Sequence, residues 1–206
     1  MTLDPSMRVQ ADEAFSHARR RGLFRRVLEF FTGAQPDSLL SFDEVRAKLK
    51  VRGQHYAGLQ TIPLDSIAGS VGRYQEFNRA FLPAQEFIRE RWKRIYEVAH
   101  SLEGFPQIDV YQIGDVYFVR DGHHRVSVLK ELGATTIEAT VTVLDTPIPL
   151  SADVGDLELD LKAEYATFLQ ETGLDALRPG QQIEFTLPGQ YQKLYEHIAV
   201  HRYYLG

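Results

Sequence analysis

The chain has 206 residues, of which 44% are hydrophobic and 25% charged, so it can bury a core and is not disordered over most of its length. It contains no cysteine, which excludes disulfides, thiolate metal sites and cysteine nucleophiles. Its net charge of −5 makes the whole chain a poor match for nucleic-acid phosphates. It has no apolar run near the ~20 residues of a membrane span and no signal peptide, which predicts a cytoplasmic protein without a membrane partner.

The first region, residues 12–50, predicts two helices. Apolar residues at helical spacing between Phe15 and Phe31 predict the first, which Gly33 can end. Ser41 and Glu44 form a capping box that predicts a second helix through residue 49. Five arginines lie within the first helix, and they form either a solvated face or a patch for nucleic acid, an anionic surface or a partner.

The second region, residues 58–145, alternates between strands and helices. We predict strands over residues 61–64, 108–110, 116–119 and 137–144, helices over residues 87–102 and 124–132, and a glycine-containing loop over residues 70–74. Gly104 and Gly133 end the two helices, and a turn over residues 113–116 joins the two middle strands as a hairpin.

The third region begins near Pro147 and is mostly helical. Residues 151–160 are acidic and predict a linker, residues 161–172 and 191–204 predict helices, and residues 182–187 predict a strand. We therefore divide the chain into an N-terminal helical segment (residues 1–57), a core (58–146) and a C-terminal extension that packs on the core (147–206).

A polar cluster stands where a strand becomes a helix: Asp121, Gly122, His123, His124 and Arg125. Glycine permits close backbone approach, and the first amides of the helix have no intrahelical partners and favour an anion. The arginine adds a forked donor suited to phosphate, and the histidines can donate, accept or titrate near neutral pH. The cluster predicts an anion site, although an ordinary helix capped by Asp121 would leave the same residues solvated.

The same cluster carries a family resemblance. Residues 62–67, 70–74, 117–133 and 137–143 resemble the ParB/sulfiredoxin superfamily, and among its members an uncharacterised bacterial ParB-like group. The resemblance covers residues 60–144. It implies an α+β fold with a small mixed β-sheet flanked by helices, to which this chain adds N-terminal helices and a C-terminal helical extension.

The resemblance also implies roles for single residues. A catalytic cysteine stands at the place of His123 in sulfiredoxins, so their sulfinic-acid repair chemistry is excluded here. His124 and Arg125 match the phosphate-holding pair of that family, and Gly122 matches the loop of ParB proteins that binds the triphosphate of CTP. Arg73 matches an arginine of ParB-like proteins that can meet the far side of a triphosphate.

The archaeal free-serine kinase of the superfamily has a similar loop, which implies that Asp121 orients a histidine or coordinates Mg²⁺. The expected catalytic residues are thus Asp121 and His123, and the expected ligand is a nucleotide (ATP, ADP or CTP) with Mg²⁺. No dedicated metal site is expected. Asp65 is either a helix cap or a functional carboxylate.

Three functions follow from these features. The first is a nucleotide hydrolase or phosphotransferase. The second is a non-enzymatic, nucleotide-gated or DNA-associated regulator, but no helix-turn-helix follows Asp145, so DNA is not the favoured partner. The third is a nuclease, which ranks lowest because the sequence has no dense carboxylate cluster. No motif predicts the oligomeric state.

A second histidine cluster lies near the C-terminus. His197 and His201 are four residues apart, so they share one face of a helix, as the two histidines of a metal site can. No third ligand is evident. The favoured interpretation is a helix that packs on the rest of the chain through Tyr195, Tyr203 and Tyr204, and a further alternative is docking of this helix near the polar cluster of residues 121–125.

Overall fold

The computed structural model of the protein describes residues 5–32, 38–100 and 105–205. Within these ranges the α-helices are α1 (Pro5–Thr32), α2 (Phe42–Lys48), α3 (Arg89–Ala99), α4 (His123–Glu131), α5 (Asp156–Thr172), α6 (Leu174–Leu177) and α7 (Gln190–Leu205). The strands are β1 (Leu40–Ser41), β2 (Gly53–Pro63), β3 (Ile67–Ser70), β4 (Ile108–Ile113), β5 (Val116–Asp121) and β6 (Thr136–Asp145). None of the described helices is both long enough and apolar enough to cross a membrane.

The six strands form one mixed sheet in the order β1-β3-β5-β4-β6-β2. The pairs β1–β3, β3–β5 and β4–β6 are parallel, whereas β4–β5 and β2–β6 are antiparallel. Helices cover both faces of this sheet, so the predicted fold class, a mixed sheet flanked by helices, is confirmed.

Alternation along the strands divides the core between the two faces of the sheet. On β5, Val119 packs into a cluster with residues of α1, α3 and α4, whereas Phe118 packs into a second cluster with residues of α2 and α5. Trp92 of α3 and Phe15 of α1 meet edge to face in the first cluster. A third cluster joins α5 to α7 and includes Tyr191.

Several predicted elements agree closely with the structure. The hairpin of β4 and β5, helix α4 and strand β6 lie within a few residues of their predicted bounds. Ser41 caps α2 as predicted, because its hydroxyl accepts a hydrogen bond from the Glu44 amide. The predicted helix ends at Gly33 and Gly104 lie outside the described residues.

Other predictions were wrong. Residues 182–187 form no strand, since the side chains of Ile183 and Phe185 pack in the third cluster and their backbone groups bond the Tyr191 hydroxyl instead of a neighbouring strand. The predicted linker is largely structured, because Val154 is fully buried and α5 begins at Asp156. The predicted strand over residues 61–64 is the end of the much longer β2, and β3 was not predicted.

Candidate functional site

The turn between β5 and α4 requires glycine at position 122. Gly122 has φ 102° and ψ 16°, in the left-handed region. A Cβ atom at this position would lie 2.3 Å from Cγ2 of Ile108, the first residue of β4. The backbone therefore turns from strand to helix in a space that no other residue fits.

The same turn leaves the first amides of α4 without a hydrogen-bond partner among the described residues. The first helical hydrogen bond of α4 runs from the Val126 amide to the Gly122 carbonyl. The amides of His123, His124 and Arg125 precede it, and glycine at the N-cap offers no side chain to bond them. These three donors and the positive end of the helix dipole favour an anion at this point.

His123 is buried against the neighbouring strand. His123 is only 3% exposed. Its Nε2 lies 2.7 Å from Oγ of Ser70, a fully buried residue at the end of β3. Burial, followed by the positive charge of Arg73, lowers the pKa of His123 to about 4, against the opposing effects of Asp121 and the Val119 backbone. The imidazole is therefore neutral at pH 7.

His124 is buried among different neighbours. Its ring meets Phe77 edge to face, with the ring centroids 5.3 Å apart. Burial, and then the positive charges of Arg91 and Arg73, lower the pKa of His124 to about 4. No residue that the structure describes forms a hydrogen bond with its buried Nδ1. A buried polar atom without a partner is costly, which points to a ligand or ordered water beside it.

Arg125 is engaged within the protein rather than free at the surface. Its Nη1 donates to the carbonyls of Pro106 (2.8 Å) and Gln107 (2.6 Å), and its Nη2 donates to the carboxylate of Asp121. The guanidinium thus fixes the entry to β4 beside the loop. The ion pair also places the Asp121 carboxylate next to a positive charge.

These residues surround a cavity of about 280 Å³. All six residues predicted for the site line it: Arg73, Asp121, Gly122, His123, His124 and Arg125. Its other walls are Arg91, Ile95 and Val98 of α3, followed by Phe105 and Pro106. The cavity therefore combines polar groups at the start of α4 and Arg91 of α3 with apolar side chains from the later part of α3 and residues 105–106.

The cations at the cavity differ in how strongly they are engaged. Arg73 pairs with Glu76 at 3.2 Å. In the part of the chain that the structure describes, no ion pair or hydrogen bond engages the side chain of Arg91. It is close enough to lower the pKa of both histidines. Arg91 is thus the cation at the cavity with the fewest competing partners.

Sequence reasoning did not identify Arg91 or Ser70 as parts of the site. Arg91 is one of several charged residues on an amphipathic helix, and the sequence pattern does not distinguish it from Arg94, three residues later. Ser70 stood within the predicted glycine-containing loop, but only the parallel pairing of β3 with β5 brings it to His123.

Other candidate residues lie away from this cavity. Asp65 is exposed and faces Lys130 in the last turn of α4, at 3.7 Å, so it belongs to the opposite end of that helix. His197 and His201 are exposed on α7, and so are Tyr203 and Tyr204, which were expected to pack inward. No group of three potential metal ligands occurs among the described residues.

No protein family matches the sequence, and the search of curated proteins also found no match. Among solved structures the chain is similar to sulfiredoxin from Arabidopsis thaliana, with 19% identity over 40% of this chain and 82% of that chain. The TM-score of this comparison is 0.27, at which the similarity says nothing about ligand or activity.

Proposed function

We propose that the protein binds a phosphate-bearing ligand, specifically a nucleotide, in the cavity at the start of α4. The observation that carries this proposal is a set of polar groups without partners among the described residues: the first three amides of α4, and Nδ1 of His124, which is a donor in one tautomer of the neutral ring. Phosphate oxygens are acceptors that such a set would satisfy, and the helix dipole favours their charge. The sequence resemblance to ParB-like proteins supports the same ligand class.

The apolar side chains of the cavity support a ligand larger than inorganic phosphate. Ile95, Val98, Phe105 and Pro106 form an apolar wall beside the polar groups. A nucleotide has this division, with charged phosphates at one end and a flat, weakly polar base at the other. Ligand sites commonly combine such apolar walls with a few placed polar groups.

The cations divide into two roles in this proposal. Arg91 contacts the phosphates directly, because it faces the cavity with no ion pair among the described residues. Arg125 acts mainly by holding the loop, because its guanidinium bonds two backbone carbonyls and Asp121. Arg73, held by Glu76, adds a further positive charge at the cavity.

We also propose that Mg²⁺ binds together with the nucleotide. Mg²⁺ is commonly held by one or two carboxylates together with phosphates and water. Among the described residues lining the cavity, Asp121 is the only carboxylate, so Asp121 would hold the ion together with the phosphates and water. Bound in this way, the ion would neutralise charge on the phosphates.

For the activity, we propose a nucleotide hydrolase or phosphotransferase, in which the amides of α4 and Arg91 stabilise the charge of the transferred phosphoryl group. The alternative is a nucleotide-gated regulator without turnover. One observation favours this alternative: the two residues expected to be catalytic are engaged, His123 by Ser70 and Asp121 by Arg125.

A ligand panel separates these possibilities. Thermal shift and calorimetry with ATP, ADP, CTP and GTP, each with Mg²⁺, should show binding of at least one nucleotide, and Arg91→Ala should weaken it about tenfold by removing a charged contact. Arg94→Ala on the same helix is the matched control, because Arg94 does not line the cavity.

Release of inorganic phosphate then distinguishes an enzyme from a regulator. No response of the wild type to any nucleotide would remove the proposal. Equal losses of affinity in Arg91→Ala and Arg94→Ala would remove the role given to Arg91.

A further inference from the structure

Ser70 joins two polypeptide segments that contribute polar groups to the cavity. It is the last residue of β3 and is fully buried. Its hydroxyl oxygen lies 2.7 Å from Nε2 of His123, at the start of α4. The same oxygen accepts a hydrogen bond from the backbone amide of Arg73 at 3.2 Å. One hydroxyl group is therefore bonded both to the helix and to the loop that carries Arg73.

The strands place this hydroxyl with little freedom. Ser70 pairs with Val119 in the parallel β3–β5 ladder, and the Val71 amide donates to the Val119 carbonyl at 2.9 Å. Because β5 leads directly into Gly122 and α4, the sheet fixes Ser70 relative to His123. A side chain held by its backbone in this way loses little further entropy when it forms a hydrogen bond.

We propose that Ser70 is a positioning residue of the anion site, which holds the His123 ring in one orientation and couples it to the Arg73 loop. Ser70 does not line the cavity, so it acts through these two residues and does not contact the ligand. With Nε2 held by Ser70, the His123 ring is turned into the protein. Its backbone amide remains at the start of α4, where the anion is expected.

This role predicts a spectroscopic signature that does not depend on any ligand. At pH 7 the His123 imidazole is neutral, since burial holds its pKa near 4. The Ser70 oxygen already accepts the Arg73 amide, so its hydroxyl hydrogen is available to Nε2, and donation to Nε2 leaves the ring proton on Nδ1. Nitrogen-15 NMR of the histidine side chains should therefore show His123 protonated on Nδ1 in the wild type, and the Nε2 resonance should shift in Ser70→Ala because its hydrogen bond is lost.

The effect on binding rests on the proposed function. Loss of one buried hydrogen bond should weaken the affinity for the nucleotide found in the panel, or for pyrophosphate, by about five- to tenfold. Because Ser70 acts in part through His123, the loss of affinity in the double variant Ser70→Ala/His123→Ala should be smaller than the sum of the losses in the two single variants. Simple addition of the two losses would contradict the proposal.

Ser127→Ala is the matched control. Ser127 is a buried serine on α4 whose hydroxyl accepts a hydrogen bond from Trp92 Nε1 at 2.8 Å, on the side of the helix packed against α3. Its removal should lower the stability of the protein, yet leave the His123 Nε2 resonance and the anion affinity as in the wild type. Equal changes in Ser127→Ala and Ser70→Ala would show that both act through stability alone.

The two arms of this experiment also separate the two proposals. A wild type that binds no nucleotide, together with a changed His123 spectrum in Ser70→Ala, would overturn the proposed function and leave the positioning role intact. An unchanged His123 spectrum in folded Ser70→Ala would overturn the positioning role. If Ser70→Ala does not fold, the wild-type spectrum decides, because a mixture of tautomers there contradicts a fixed ring.

Discussion

His123 and His124 are neighbours in the chain, but their side chains are satisfied in different ways. The ring of His123 is bonded to Ser70, whereas that of His124 packs on Phe77 and leaves Nδ1 without a partner among the described residues. Both have a pKa near 4, chiefly because burial disfavours their charged forms. Both rings are therefore neutral at pH 7, and the positive charge at the cavity comes from arginine.

The low pKa of His124 predicts a loss of stability in mild acid. The unfolded chain takes up a proton as the pH falls below 6.5, while the folded protein resists it until about pH 4, so the free energy of unfolding falls between these values and levels off below them. Arg91, Arg73 and His123 add to this resistance.

His124→Phe should keep the packing on Phe77 and remove this titration. Between pH 7 and 4.5 we expect the variant to lose about 2 kcal/mol less stability than the wild type, as measured by urea unfolding at each pH. Parallel curves of stability against pH for the two proteins would contradict the pKa of His124.

Helix α4 is bounded by two glycines with the same sign of φ but different surroundings. Gly122 at its start has φ 102° and lies against Ile108. Gly133 follows its end with φ 77°, and a Cβ atom there would meet no heavy atom within 4 Å. The two positions therefore separate the cost of backbone strain from the cost of a steric overlap.

This pair predicts unequal effects of the same substitution. Gly133→Ala should cost about 1 kcal/mol, the strain of a left-handed alanine. Gly122→Ala should cost about 3 kcal/mol or more, because Ile108 or the helix must also move. Urea unfolding measures both, and equal losses would contradict the close approach of the loop to β4.

At the scale of elements, the sequence predicted what local patterns determine. Alternation and turn residues placed β4, β5 and β6, and a capping box placed α2, because each signal lies within the element itself. Strand β3 was not predicted, because its residues are buried on both faces and so show no alternation, and only a short 3₁₀ turn separates them from β2. The error at residues 182–187 is similar in kind, since an extended apolar alternation does not reveal whether a strand is available to pair with it.

The same division applies to the candidate site. The strand, glycine, polar cluster and helix around Gly122 are contiguous, so the sequence predicted their position, whereas the ligand class stays a prediction. Which partner each side chain takes depends on distant segments: the Pro106 and Gln107 carbonyls engage Arg125, and β3 supplies Ser70. No pattern within the loop contains those contacts.

At the scale of the whole molecule, the segment after β6 is built into the sheet. Leu150, Val154 and Leu159 are buried in the same cluster as Phe118 of β5. The Leu150 carbonyl accepts a hydrogen bond from the Asp115 amide at the β4–β5 turn. Further contacts bind this part of the chain to earlier segments: Arg79 bonds the carbonyls of residues 152 and 154, Lys48 pairs with Asp160, and Arg52 pairs with Asp175.

These contacts predict that a chain ending at residue 146 does not fold as a stable unit, although the sequence suggested a boundary there. The loss of Leu150, Val154 and Leu159 would expose apolar surface on one face of the sheet. Each buried leucine or valine contributes about 1.5–3 kcal/mol to the free energy of unfolding. We expect the 206-residue chain to unfold in one calorimetric transition, with equal calorimetric and van't Hoff enthalpies.

A chain ending at residue 198 is the control, because residues 199–205 are exposed and their removal should change the melting temperature little. Two separate transitions in the full chain, or a chain ending at residue 146 that melts cooperatively near the temperature of the full chain, would show instead that residues 147–206 form an independent unit. The proposed anion site lies where β5 joins α4, and β5 contributes Val119 to one core cluster and Phe118 to the other, so a cooperative core would also tie the geometry of the site to contacts made by residues well outside it.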